Sequence, residues 1–244
     1  MSNLRIALVA EGPLDRIILQ AALNAIIPCP FILTVLQPEA TKPKMGNGWS
    51  GVLKWCDATS DRHTGTLDTD PTLIGFDLLI IHLDADVADK QYLDCGQEIA
   101  NLAISKGWHV LPCSTPCPPA ASTCQNLQHV IKSWLGNATI GQKTVLCIPS
   151  KSLGSWLASA ALPSNHILLN SLECNPTLEQ KLEQLPLKNR IKKTQSDFRK
   201  HETLITKNWN DVKNSCTQAM LFDSSIYGIA KPACQQLSSP SSTK

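Results

Sequence analysis

Four aliphatic runs constrain this chain more than any other feature: residues 4–10 (LRIALVA), 31–36 (FILTVL), 78–83 (LLIIHL) and 144–148 (TVLCI). They are apolar almost throughout rather than at every second position, the pattern of strands covered on both faces. Between them the apolar spacing becomes helical. Leu14, Ile17, Ile18, Ala21, Ala22 and Ile26 form a stripe after the turn Glu11-Gly12-Pro13. Leu93, Ile99, Leu102 and Ala103 form a second within residues 91–106, and Leu127, Val130, Ile131, Trp134 and Leu135 a third after Pro118-Pro119. Strands alternating with helices predict an α/β fold: a Rossmann-like, mostly parallel sheet of four to five strands flanked by helices. Residues 108–111 supply the fifth strand and residues 153–161 a further helix.

At roughly 150 residues per domain, 244 residues suit one α/β domain and an appendage. The α/β pattern runs over 1–163. Within it, residues 38–75 are polar and too long for an ordinary connection, so they predict a lid-like insertion with a helix at 49–56. Residues 164–234 read as a helical, basic C-terminal extension, with one helix at 177–184 and a long one over 196–221. The low-complexity end, 235–244, reads as a disordered tail.

Charge is distributed unevenly. Residues 1–150 hold 10 basic and 13 acidic residues and 151–244 hold 12 and 7, so the halves carry −3 and +5. Lys188, Arg190, Lys192, Lys193, Arg199 and Lys200 fall within thirteen residues beside the single acid Asp197. Such a run suits a polyanion, and equally a solvated helix face. The only stretch resembling a membrane span, residues 17–36, is split by Pro28 and Pro30 and reads as helix, turn and strand. No secretory signal is read at the N-terminus, where Glu11 cuts the apolar run short. Ten cysteines without such a signal predict a cytoplasmic protein with free, mostly buried thiols.

The acids at two strand ends carry the chemistry. In open α/β sheets ligands bind beyond the carboxyl ends of strands. Glu11 follows the first strand, with Asp15 one helical turn further on. Asp84 and Asp86 follow the third and share one face, because strand side chains alternate. Four carboxylates brought together repel unless a cation neutralises them, and hard oxygen ligands favour Mg²⁺ or Mn²⁺. His82, within the third strand, reads as support beneath Asp84 or Asp86.

The strand 6–10 followed by Glu11-Gly12-Pro13-Leu14-Asp15 resembles the strand-Glu-Gly-x-x-Asp motif of the TOPRIM superfamily. Residues 78–83 followed by Asp84-Ala85-Asp86 are similar to its strand ending in Asp-x-Asp. The resemblance covers roughly residues 4–112 and is nearest to small stand-alone bacterial members beside the OLD-type nucleases, several of which belong to phage-defence or mobile-element modules. It implies a Mg²⁺-dependent nuclease acting on DNA or RNA. Glu11 would be the general acid/base or a metal ligand, Asp84 and Asp86 would hold the metal, and Asp15 would help a second. On this reading Gly12 and Lys151 contact phosphate, the charge of the basic run suits backbone phosphates, and the resemblance adds a protein partner in a defence module. One departure concerns the second metal: residues 148–156 (IPSKSLGSW) hold no carboxylate where the nuclease branch has one. No topoisomerase nucleophile is read in Tyr92 or Tyr227.

Two other readings stand beside the nuclease. Asp84 and Asp86 also fit the nucleophile and acid/base of a haloacid-dehalogenase-like phosphatase, although here two strands precede the motif. The absent carboxylate instead favours a non-catalytic metal or nucleotide sensor that recruits a partner. His109, Cys113, Cys117 and Cys124 crowd one region but form no paired zinc knuckle. Trp49, Trp55 and Trp156 read as core or lid packing before base stacking.

Overall fold

The computed structural model describes residues 3–38 and 46–238. Its main sheet contains β1 (Leu4–Val9), β2 (Phe31–Gln37), β4 (Leu78–His82) and β6 (Thr144–Cys147) in the order β2-β1-β4-β6. Every pairing is parallel. A two-stranded ladder, β3 (Gly65–Thr66) with β5 (Ala138–Thr139), stands apart from it.

Alternate residues of β1, β4 and β6 enter different cores, which is why those runs are apolar throughout, whereas the edge strand β2 leaves Ile32 and Thr34 exposed. Ile6 and Leu8 of β1, Leu78 and Ile80 of β4, and Val145 and Cys147 of β6 join one cluster. Ala7, Val9, Leu79 and Ile81 join the other. The first cluster is covered by α1 (Pro13–Ile26), α5 (Gly154–Ala161), α6 (Leu178–Gln184), α7 (Gln195–Lys207), α8 (Trp209–Ser215) and α9 (Thr217–Ser238). The second is covered by α2 (Trp49–Arg62), α3 (Gln97–Lys106) and α4 (Ala121–Leu135). The result is a three-layer helix–sheet–helix sandwich.

Several expectations change. Residues 108–111 are irregular, so the sheet has four strands; Trp108 is buried by side-chain packing without a ladder. Residues 39–45 of the expected lid lie outside the described residues, but α2 within it is a core helix, burying Val52, Leu53 and Cys56. The C-terminal helices share one core with β1 and α1 and so form a layer of the same sandwich. The expected long helix over 196–221 is broken at Asn208 and Cys216 into α7, α8 and α9. The tail is helical through Ser238, and 239–244 lie outside the described residues.

The cysteine reading is corrected too. Cys29 pairs with Cys234 and Cys117 with Cys174, at Cα separations of 5.7 and 5.5 Å. Cys56, Cys95, Cys113, Cys124, Cys147 and Cys216 are free. The pairs join positions 205 and 57 residues apart, distances invisible to a search for local spacing. They withdraw the cysteine argument for a reducing compartment. Among the described residues no helix is long and apolar enough to cross a membrane.

Candidate metal centre at the switch point of the sheet

From β1 the chain moves outward to β2, then returns to place β4 on the other side of β1. The crevice between the carboxyl ends of β1 and β4 is therefore a topological switch point, the favoured ligand position in such sheets. Backbone hydrogen bonds knit these ends together. Gly48 N–H donates to the Glu11 carbonyl (2.8 Å), fixing the β1 end to the start of α2. Ala85 N–H donates to the Pro149 carbonyl (3.2 Å) and Asp86 N–H to the Lys151 carbonyl (3.0 Å), joining the β4 and β6 ends.

Glu11, His82 and Asp84 converge there, offering ligand atoms that all lie within 4.8 Å of one another. Glu11 Oε1 accepts the Asp84 backbone N–H at 2.7 Å, so one carboxylate oxygen is committed to the partner strand's end. His82 is fully buried. Its Nε2 lies 3.2 Å from Asp84 Oδ1 and its Nδ1 3.8 Å from Asp15 Oδ2. The 3.2 Å approach is close enough for charge pairing, yet the ring N–H is not directed at the oxygen. Both ring nitrogens and Asp84 Oδ1 are thus buried without an aligned hydrogen-bond partner.

The electrostatics follow from crowding. Burial pushes the Glu11 carboxyl well above the usual range, and the Asp84 carboxylate adds to the rise. Asp84 is likewise raised by burial, while His82 opposes the shift. Burial alone would lower His82, but Asp15, Asp84 and Glu11 outweigh it and lift the imidazole to about 9. Each proton held here answers the same problem: too much negative charge in too little water.

Asp15 also serves the helix, its Oδ2 accepting the Gly12 N–H at 2.8 Å in the first turn of α1. Gly12 itself is extended, and an added Cβ would meet nothing nearer than Asp15 Oδ2 at 3.8 Å, so the backbone there does not demand glycine. Asp86 lies outside the group. The strand ends at His82, and residues Ala85–Asp89 form a 3₁₀ turn that leaves Asp86 exposed. The alternation expected to align Asp84 with Asp86 instead aligns His82 with Asp84. His82, expected only as support beneath the acids, is thus a member of the converging group itself.

The segment lacking a carboxylate acquires two from elsewhere. Ser150 Oγ donates to Glu173 Oε1 (2.8 Å) and Ser152 Oγ to Glu179 Oε1 (2.7 Å). Glu179 also binds Lys193 Nζ at 2.5 Å. Burial lowers the Lys193 pKa, but Glu179, then Asp84 and Asp15, raise it above its ordinary value, so this lysine feels the charge of the acidic crevice. Sequence separation hid these contacts: Glu173 and Glu179 lie more than twenty residues from their serine partners.

The other basic residues scatter. Lys151 is paired with Asp89 at 2.9 Å and Lys200 with Asp197 at 2.8 Å. Arg190 Nε donates to the Leu185 carbonyl at 3.1 Å. Lys188 and Lys192 are exposed, and Arg199 lines a cleft beside α1. Cys117, taken up in its disulfide, is withdrawn from the His109/Cys113/Cys124 region. Trp156 packs on Trp209 and Phe222, Trp49 on Tyr92 and Trp134, and Trp55 is buried. Tyr92 is held between the His109 carbonyl and Trp134 Nε1. No protein-family model, curated protein or solved structure matches this chain.

Proposed function

We propose that this chain is a divalent-metal-dependent phosphodiester-cleaving enzyme, a nuclease acting on DNA or RNA, with Glu11, His82 and Asp84 as metal ligands. The observation that carries the reading is a fully buried imidazole, without aligned partners, between carboxylates from two strand ends at a switch point. Buried polar atoms left unsatisfied cost about 1–3 kcal/mol each, so a ligand that engages them is strongly favoured. Two carboxylates and an imidazole fit Mn²⁺ or Mg²⁺, the nitrogen tilting the preference towards Mn²⁺.

When bound, the ion would polarise a phosphoryl oxygen and lower the pKa of an attacking water. The chain's own groups divide the remaining work. Asp15, 3.8 Å from Nδ1, puts negative charge on that side of the ring and favours the proton there, leaving Nε2 for the crevice. Glu11 has Oε1 committed to Asp84 N–H, and Oε2 remains to ligate or to exchange a proton. Lys193 brings positive charge to the rim, where a phosphate would otherwise meet only carboxylates.

One observation favours the sensor reading: the buried His82 ring lies 3.2 Å from Asp84 and 3.8 Å from Asp15, placed to offset acidic charge without an ion. Labelled DNA and RNA, incubated with Mn²⁺, Mg²⁺ or EDTA beside Asp84→Ala, separates the two. Cleavage that needs both metal and Asp84 is expected; metal binding with no turnover on any strand would instead establish a sensor. The phosphatase reading requires Asp86 as the acid/base beside Asp84, and Asp86 is exposed outside the converging group.

A further inference from the structure

A cleft of about 350 Å³ opens between α1 and α7 on the flank of the candidate metal centre. Each helix contributes one guanidinium to its wall, Arg16 from α1 and Arg199 from α7, and Gln20, Gln195 and Glu202 complete its polar lining. Among the described residues, neither arginine forms an ion pair or a side-chain hydrogen bond, and the Gln195 amide is equally uncommitted. Gln20 donates to Asn24 and keeps its carbonyl oxygen. Glu202 lies three residues from Arg199 without pairing to it, so the wall stays net positive.

Unpaired guanidiniums facing one cleft form a forked donor array that matches phosphate oxygens. The cleft is also coupled in space to the metal centre. Arg16 directly follows Asp15, and Gln195 lies two residues beyond Lys193, a span of at most ~7 Å of extended chain. The two sites therefore flank the first turn of α1, one acidic and one basic. A mononucleotide or phosphomonoester has no second phosphate to occupy the basic side.

We propose that the Arg16–Arg199 cleft binds a backbone phosphate adjacent to the one at the metal centre, making a polynucleotide strand the substrate. This rests on the phosphodiester reading above and adds the strand requirement to it.

The test is fluorescence anisotropy of labelled 12-nucleotide single-stranded DNA and RNA in EDTA, which separates cleft binding from catalysis. The proteins are wild type, Lys188→Gln, which lies outside the cleft lining, and the double variant Arg16→Gln/Arg199→Gln, whose exposed positions leave the core intact. Lys188→Gln is expected to weaken binding far less than the double variant; an equal loss overturns the assignment to the cleft. The double variant should bind at least tenfold more weakly, with a slope of log K against log salt shallower by about 0.7, one phosphate contact's worth on a single strand. Equal affinity in the double variant overturns the proposal. So does displacement of the strand by about 1 mM inorganic phosphate, which would mark an isolated-anion pocket. Strand binding that depends on the arginines, with no cleavage under any metal, supports the cleft and removes only the enzymatic reading. Cleavage with unchanged KM in the double variant keeps that reading and removes the cleft.

Discussion

Substituting His82 by Gln removes the imidazolium from among Glu11, Asp15 and Asp84 while keeping a polar group of similar size. Stranding buried carboxylates costs about 3–5 kcal/mol, so denaturant unfolding of metal-free His82→Gln should show a loss of that order. The pH dependence has the same origin. His82 is raised to about 9, so its contribution is complete below the unfolded value near 6.5 and is lost as pH rises through 9. Glu11 is raised as well, so the folded state holds a proton that the unfolded chain has released, and stability again falls with rising pH. Thermal unfolding of the metal-free protein should therefore drop by several degrees between pH 6.5 and 9; a flat or rising profile would contradict the charge assignment. Among single residues the carboxylates are legible as ligands and the histidine only as support. Glu11 and Asp84 stand at strand ends that hydrophobicity marks, whereas His82 sits inside the run and so reads as a group beneath the site. Asp86 was misplaced because a strand was assumed to continue where the backbone turns into a 3₁₀ helix.

Elements were more legible than residues, because the inner strands β1 and β4 had to satisfy two cores at once. Runs such as LLIIH admit few alternatives once Leu78 and Ile80 go one way and Leu79 and Ile81 the other. Helix α2 was read as part of a lid because its segment is polar overall, yet Val52, Leu53 and Cys56 occupy a buried stripe within it. Trp156 tests the layer formed by α5 and the C-terminal helices, since it is fully buried against Trp209 and Phe222. Trp156→Ala should cost about 3–5 kcal/mol, read as a shift of one cooperative transition. If the C-terminal helices instead unfolded in a separate step, the shared core would be disproved. Arg62 and Asp70 supply a second check at 2.9 Å, with Asp70 almost fully buried. Burial opposes its ionisation, but Thr72 and Arg62 prevail and hold its carboxyl below the usual range. Its stabilising contribution is thus present above about pH 4 and lost as pH falls through the depressed value, which Asp70→Asn should abolish in an acid titration.

Taken whole, the molecule joins distant parts of the chain in ways local pattern cannot show. The two disulfides, the Ser150–Glu173 and Ser152–Glu179 contacts, and Lys193 at the crevice all depend on the C-terminal helices packing back onto the sheet. Thiol titration of the denatured, unreduced protein should count six free cysteines; ten would contradict both bridges. Glu11, His82 and Asp84 are proposed to bind a divalent cation through an imidazole nitrogen and carboxylate oxygens. Pulsed electron paramagnetic resonance on the Mn²⁺-loaded protein addresses it directly, because a ligating imidazole couples its nitrogen to the metal spin. One bound Mn²⁺ with a single nitrogen coupling, lost in His82→Gln and with the ion itself lost in Asp84→Ala, is the predicted result. Mn²⁺ bound without nitrogen coupling, or none bound, would contradict the account.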